Sequence, residues 1–536
     1  MKHRIFTALA AFILLHSCSK NDHPSPPSPP IVPIEFTVSP DSVKVNPYGY
    51  TPLSALVSFT TEKAGNTVLI VKGKHGSFTD IVHRFNDAGT SHSIPVIGMY
   101  ADYNNTVLLR VVNSTGDTLA KSTVMIQTGS LPADLPTSIT PQDFDTTAVE
   151  PGITLVSSLS TFGVPNRPTI PYMIDDYGDI RWVLDYSSYP ELATMFFDDG
   201  IARLRNGNLY FGDTKTSKIY EVDLLGQIIN TWGLSGYIFH HNVQEKPDGN
   251  FLVTVSKPDS KNTEGLSTIE DYVIEINRQG GDVANVWDLK ESLDEHRTVQ
   301  TVNNPNKADW IHINSVMYDS TDNTIIVSGR TQCLVKLDYS NNVKWIMAAH
   351  IGWGKNRRGE DLNQFLLTPL DASGNPITDT AVVKGWTRTA DFEWNWYQHS
   401  NIFLPNGDIM IFDNGTARTP YAPDGSTSNS APGKYSRAVE YKIDETNKTV
   451  QQIWEYGKDR GQECYASFIS SVQYLPETNH ILFAPGLNTL NPGGRGGRIV
   501  EVDYSTGQVV AERVINTATT TAFHRAKKMS AYPDNL

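Results

Sequence analysis

The 536-residue chain has only three cysteines: Cys18 near its start, and Cys333 and Cys464 deep in the sequence. Two internal cysteines make no disulfide scaffold, and with no CxxC pair a thiolate zinc site has no framework. Cationic residues are also scarce, with 44 Lys and Arg against 58 Asp and Glu and a formal net charge of -14. A general nucleic-acid binder needs clustered Lys and Arg to neutralise phosphate, so that class is set aside. No glycine-rich phosphate loop follows a strand, so no nucleotide cofactor is implied. The N-terminal apolar run, IFTALAAFILL, has 11 residues and is too short to span a bilayer comfortably.

That run follows the positive start MKHR, and together they read as an export signal over residues 1–17. Leu15, Ser17 and Cys18 resemble a bacterial lipobox, which implies cleavage before Cys18 and lipid attachment to its sulfur. The chain is then expected to be an exported lipoprotein, with Ser19 compatible with sorting to the outer membrane. Residues 18–34, polar and proline-rich, cannot build a core and read as an extended tether.

Residues 35–130 alternate apolar and polar residues at strand period, in runs such as NTVLIVKGK and NTVLLRVVNS. They predict a small N-terminal β-sandwich, closed by a linker over 131–150 that carries three prolines in LPADLPTSITPQDFD. From residue 151 a repeat sets in: an apolar run, an acidic or amide residue, a tight turn, then a strand often carrying Trp. Its six anchors are Asp175, Asp223, Asn277, Asp338, Asp444 and Asp503. All but one of the spacings between them lie within 48 to 61 residues, the range of propeller blades. A second phrase, strand–turn–strand as in KPDGNFLVTV and LPNGDIMIFDN, precedes most copies and brings each blade to four strands. The fold class is therefore all-β: a six-bladed β-propeller over 151–536 preceded by the sandwich. The C-terminal RAKKMSAYP is expected to close the ring with the first blade. The 106-residue interval from Asp338 to Asp444 holds a long insertion, 349–397.

Three histidines and an arginine fall at related places in this repeat. His399 lies six residues before Pro405 and His241 six before Pro247, while His312 and Arg330 flank the first hairpin of one blade. A propeller points the start of every blade at one central channel, so these residues can converge from separate repeats. Three histidines suit zinc, but a guanidinium has no lone pair and repels a metal. The mixture suits an oxyanion instead: sulfate, phosphate or carboxylate. Of His240 and His241, strand alternation admits only one to the channel, and His241 is preferred.

DWIHINSVMYDSTDNTIIVSGRTQ, the HHN step before PDGN, and QHSNIFLPNGDIMIFDNG resemble bacterial arylsulfate sulfotransferases that do not use an adenosine phosphosulfate donor. The resemblance runs from residue 35 to the C-terminus. It implies His399 as a transiently sulfated nucleophile, His241 in acid/base work, and His312, Asn314 and Arg330 as holders of the sulfuryl oxygens. It further implies a phenolic sulfate donor, a phenol acceptor, no cofactor and no metal, with homodimers occurring in the family. The chain departs from the family at Asn242, where Asp is frequent, and at Gly329 and Thr331, where Ser and His are frequent. A non-catalytic binding propeller and a sulfatase-like or lyase enzyme on the same fold remain the alternatives.

Overall fold

The computed structural model describes residues 32–159, 164, 166–196, 200–297, 308–416, 418–419, 434–534 and 536. The expected export signal, Cys18 and most of the tether lie outside them. Among the described residues no helix is long and apolar enough to cross a membrane.

Seven strands between Ile34 and Gln127 form the N-terminal unit. Its organising element is the 17-residue strand Ala55–Val71. The first half of this strand pairs with Gly89–Val96 and the second half with Asn104–Val112, so one strand passes from sheet to sheet. Ala55, Val57, Leu69 and Val71 alternate with more exposed neighbours and point into the shared core, as a half-buried sheet requires. That core continues into the propeller through Trp182 and Leu184 of the first blade. The Arg181 guanidinium fastens the contact, donating to the carbonyl oxygens of Gly98 at 2.8 Å and Thr79 at 3.1 Å.

Six sheets follow, each with at least four strands. The repeat phrases land where expected: every anchor sits in the turn between a blade's third and fourth strands. Asp223 Oδ1, for example, accepts from the backbone N–H of Leu225 and Gln227, closing the turn by its own side chain. The recurring tryptophan has a definite task. Trp182, Trp232 and Trp287 each bury the ring between blades and donate Nε1–H to the carbonyl of Leu224, Arg278 and Asp338, in the anchor turn of the following blade.

Ring closure joins both ends of the propeller. Phe523–Met529 pairs with Ile153–Ser158 as the inner strand of the first blade, which includes the expected RAKKM segment. The stretch 131–150 differs from the expected linker: its Ser138–Phe144 pairs with Val509–Asn516 as the outer strand of the sixth blade. Proline is tolerated on an edge strand, so Pro141 is compatible with pairing there although the proline count reads as a linker. The 349–397 insertion adds Thr368–Leu370 as an extra outer strand of the fifth blade, parallel to Thr449–Tyr456. Cys333 and Cys464 are both buried and unpaired.

Candidate active site

The innermost strands of the third, fourth and fifth blades are Ile238–Glu245, Ile313–Asp319 and His399–Phe403. Each carries a bulge where it meets its second strand, at Phe239–Val243, Ile313–Ser315 and His399–Ile402. The backbone takes positive φ at His241 (50°), His312 (53°) and Ser400 (54°). A bulge inserts an unpaired residue and re-aims side chains, and positive φ in a non-glycine residue is strain that the surroundings must hold. Through these bulges three blades turn their histidines toward one point. The His241 ring lies 4.8 Å from that of His312 and 6.4 Å from that of His399, centre to centre.

The bulge also overturns the expectation that only one of His240 and His241 enters. With strand alternation broken, the two rings lie 5.3 Å apart, and both stand beside Glu270, their donor atoms within 4.8 Å of one another. Burial, the main cause, lowers His240 to about 4, so it is neutral at physiological pH.

His399 is held in one tautomer. Asn414 gives its amide N–H groups to the carbonyls of Ala466 and Ile469, at 2.8 and 2.9 Å, which turns its oxygen toward His399. Asn414 Oδ1 then accepts from His399 Nδ1 at 2.6 Å. The proton therefore sits on Nδ1 and the lone pair on Nε2, which receives the Ile469 backbone N–H at 3.2 Å. Burial first, and the Arg330 charge second, hold the His399 pKa well below its ordinary value. The result is a neutral imidazole with a directed lone pair.

His312 is the opposite case. Its Nδ1 lies 2.6 Å from Glu270 Oε2 and 2.8 Å from Asp309 Oδ2. Burial disfavours its charge, but the Glu270 carboxylate outweighs that and raises it to about 9. Glu270 is correspondingly pulled below the usual carboxylate range: burial opposes this, and the His312 charge prevails. His312 is thus a cation whose Nε2 lies 2.8 Å from Nε2 of His241. His241, lowered by burial and then by that same cation, is neutral and accepts the shared proton.

Arg330 follows the second strand of the fourth blade. Its backbone N–H donates to the His312 carbonyl at 3.0 Å, and its guanidinium reaches Asp309 at 3.5 Å. Gly329 is needed here, because a Cβ would stand 2.4 Å from the Ile311 side chain. The departures at 242 and 331 do bracing work. Thr331 donates its hydroxyl to the Trp310 carbonyl at 2.8 Å, and Asn242 Oδ1 accepts from the Val316 N–H at 3.1 Å. Asn314 is fully buried and donates its amide to the Gln398 carbonyl at 2.7 Å, so it ties the fourth blade to the residue before His399.

Sequence reasoning left out four residues of this cluster: Glu270, Asp309, Asn414 and His524. Asp309 and Asn414 lie inside the quoted motifs, three residues before His312 and fifteen after His399. His524 sits on the closing strand, its ring 5.6 Å from that of His241 and 6.0 Å from that of His399. Glu270 comes from the loop between the second and third strands of its blade and carries no motif.

Two sets of donors, His240–His241–Glu270 and Glu270–Asp309–His312, lie close enough to hold a cation. A metal in the second set would have to displace the His312 Nδ1 proton, which Asp309 Oδ2 accepts at 2.8 Å.

Arylsulfotransferase (ASST) matches this chain over residues 138–525, and the Arylsulfotransferase Ig-like domain matches over 42–129. The chain belongs to the arylsulfotransferase family. This arylsulfotransferase is 28% identical to the arylsulfate sulfotransferase AssT of Escherichia coli O6:H1, over 88% of this chain and 89% of that one. It is 28% identical to the enzyme of the same name from Lelliottia amnigena over the same shares. A solved protein of unknown function from Bacteroides caccae is similar at TM-score 0.39 and 11% identity, over 70% of this chain and 98% of that one. The arylsulfotransferase is an enzyme that moves sulfate from a small-molecule donor to a phenol acceptor.

The charge state of His312 gives this arylsulfotransferase a defined pH response. If the imidazolium is the working form, kcat should stay level through neutrality and fall as pH rises through about 9. Glu270→Gln removes the dominant stabilising charge, so the alkaline limb should move down by ~1–2 pH units. A pH–rate profile of both proteins checks this; an unmoved limb removes Glu270 from control of the site.

Proposed function

We propose that this arylsulfotransferase works by a ping-pong mechanism through a sulfohistidine at His399, with His241 and His312 moving one proton between them. The observation carrying this reading is the fixed tautomer of His399: its Nδ1–H is held by a non-basic acceptor, and its Nε2 lone pair is engaged only by the Ile469 N–H at 3.2 Å, a bond that attack on sulfur gives up.

In the first half-reaction His399 Nε2 attacks sulfur and the S–O bond to the aryl group breaks. Its electron pair leaves on the phenolate oxygen. Sulfuryl transfer spreads charge over its oxygens much as phosphoryl transfer does, so positioning and charge stabilisation dominate. Arg330 and the His312 cation supply that stabilisation. The phenolate takes a proton from the nitrogen of His241 that does not face His312, and the His312 Nε2 proton refills His241. Every proton is accounted for, and His312 becomes neutral. The second half reverses these steps: an acceptor phenol loses its proton to His241 as its oxygen attacks the sulfur, and the proton returns to His312.

Asn414 matters between the halves. An amide oxygen cannot take the Nδ1 proton, so the intermediate remains an N-sulfoimidazolium and the ring departs as a neutral imidazole. A carboxylate in its place would draw that proton away and make the ring a poorer leaving group. Intact-mass analysis after rapid mixing with 4-nitrophenyl sulfate, with no acceptor, should find one added sulfuryl group, located on His399 by peptide mapping. Product release with no such adduct on any time scale of turnover would replace ping-pong with direct transfer.

We also propose that the enzyme is an exported lipoprotein anchored through Cys18, from the lipobox-like LHSC. Cys18→Ala should shift the expressed full chain from the membrane pellet to the soluble fraction, with activity per molecule unchanged. An unaltered distribution would end that assignment.

A further inference from the structure

The closing strand Phe523–Met529 is an inner strand of the ring, and it too is bulged, between Phe523 and Ala526. Phe239-His240-His241 in the third blade and Phe523-His524-Arg525 in the first stand at corresponding places counted from the last paired residue before each bulge. Arg525 is thus the second residue after the last paired one, as His241 is in its blade, in a bulge one residue shorter. The strand is firmly located: the Ser470 N–H donates to the His524 carbonyl at 2.9 Å, and the Ala526 N–H to Ser471 Oγ at 3.1 Å. His524 is wholly buried and packs beside the rings of His241 and His399. The Arg525 guanidinium reaches across the channel to 3.5 Å from the Asn314 carbonyl, two residues from His312.

We propose that the ring-closing strand supplies a further part of the sulfuryl site, with Arg525 binding the oxygens of the group in transfer together with Arg330, and His524 forming the neutral wall that orients it. The inference rests on the sulfohistidine reading above. Arg525 exchanges no atom in the reaction. As the S–O bond breaks and the His399 N–S bond forms, charge builds on the sulfuryl and leaving oxygens, and a guanidinium offers paired donors to it. His524 suits a site for a small anion without adding charge: burial first, then Arg525, hold its pKa well below the ordinary value. One consequence is that the site exists only when the ring is closed, since its last component arrives with the final strand.

The test uses the full chain carrying Arg525→Gln, Arg525→Lys or His399→Ala, with 4-nitrophenyl sulfate as donor and inorganic sulfate as inhibitor. Arg525→Gln should lower kcat/KM and the rate of His399 sulfation on the order of 10²-fold. It should also weaken inhibition by sulfate at least tenfold. Arg525→Lys should recover part of both, because it keeps the charge and loses the fork. A merely structural Arg525 would instead lower the melting temperature while leaving kcat/KM and sulfate inhibition within twofold of the parent, which would overturn the proposal. If Arg525→Gln does not fold, Arg525→Lys decides alone: kinetics within twofold of the parent on both readouts overturn it. Failure of the underlying reading looks different, because His399→Ala would then still turn over whatever the Arg525 variants do.

Discussion

His399→Ala should lower kcat/KM for any aryl sulfate on the order of 10⁴–10⁶-fold, the scale of removing a covalent nucleophile, while the β-sheet circular dichroism is unchanged. The kinetic loss is large because nothing nearby can substitute. His241 and His524 are neutral imidazoles beside it, but neither has the Asn414 oxygen and Ile469 N–H that fix the lone pair of His399. The structural loss is small by comparison. Truncation orphans the Asn414 oxygen, which costs about 1–3 kcal/mol. Asn414 itself stays anchored by two carbonyls, and the blade is held by its outer strands and the tryptophan latches. A variant that is folded and retains more than a few per cent of parental activity would remove His399 from the nucleophile role. Loss of activity together with loss of the β-sheet signal would call for His399→Asn, which keeps a polar side chain against Asn414.

Arg330→Lys should lower kcat/KM by ~10²-fold, the scale of losing a positioned transition-state donor. Two readings of Arg330 differ in what they predict. In the first, the guanidinium binds the sulfuryl oxygens, so Lys keeps one charge but loses the planar fork, and the deficit grows for phenols that leave poorly. In the second, Arg330 only pairs with Asp309, and Lys is nearly silent in kinetics but lowers thermal stability. The 3.5 Å contact with Asp309 is long and the side chain is partly exposed to the channel, a weak pairing for a structural ion pair. The strong carboxylate contacts in this corner belong to His312 instead. Steady-state kinetics over substituted phenyl sulfates, beside melting curves, separate the two. A kcat/KM unchanged across the series would sink the sulfuryl-binding role.

Membership of the arylsulfotransferase family carries the reaction class; the protonation states come from the side chains. His312 is protonated because two carboxylates face it, and His399 is neutral because burial and a guanidinium surround it. Histidines are thereby divided into a cation and a neutral imidazole by their neighbours alone.

The propeller was legible in the sequence because its information is local and repeated. Each Asp or Asn anchor closes its own turn through a bond two to four residues away, and each alternating run declares its buried face. The closing role of RAKKM was legible for the same reason. His241, His312, Arg330 and His399 could be singled out because three of them precede recurring turns and the fourth ends a recurring hairpin. What tertiary structure alone decided depends on contacts between blades. Glu270 has no motif, and it becomes the partner of His312 only when the third and fourth blades pack. Asn414 becomes the keeper of the His399 tautomer only because two carbonyls of the sixth blade claim its amide. His240 faces the site although strand alternation excludes it, since the bulge at His241 breaks a period that the sequence pattern takes as unbroken. Ser138–Phe144 reads as linker because an edge strand paired at one side needs little hydrophobic pattern and tolerates proline. The charge on each histidine is likewise absent from the sequence: it follows from burial and from charges that neighbouring blades bring close from as far as tens of positions away.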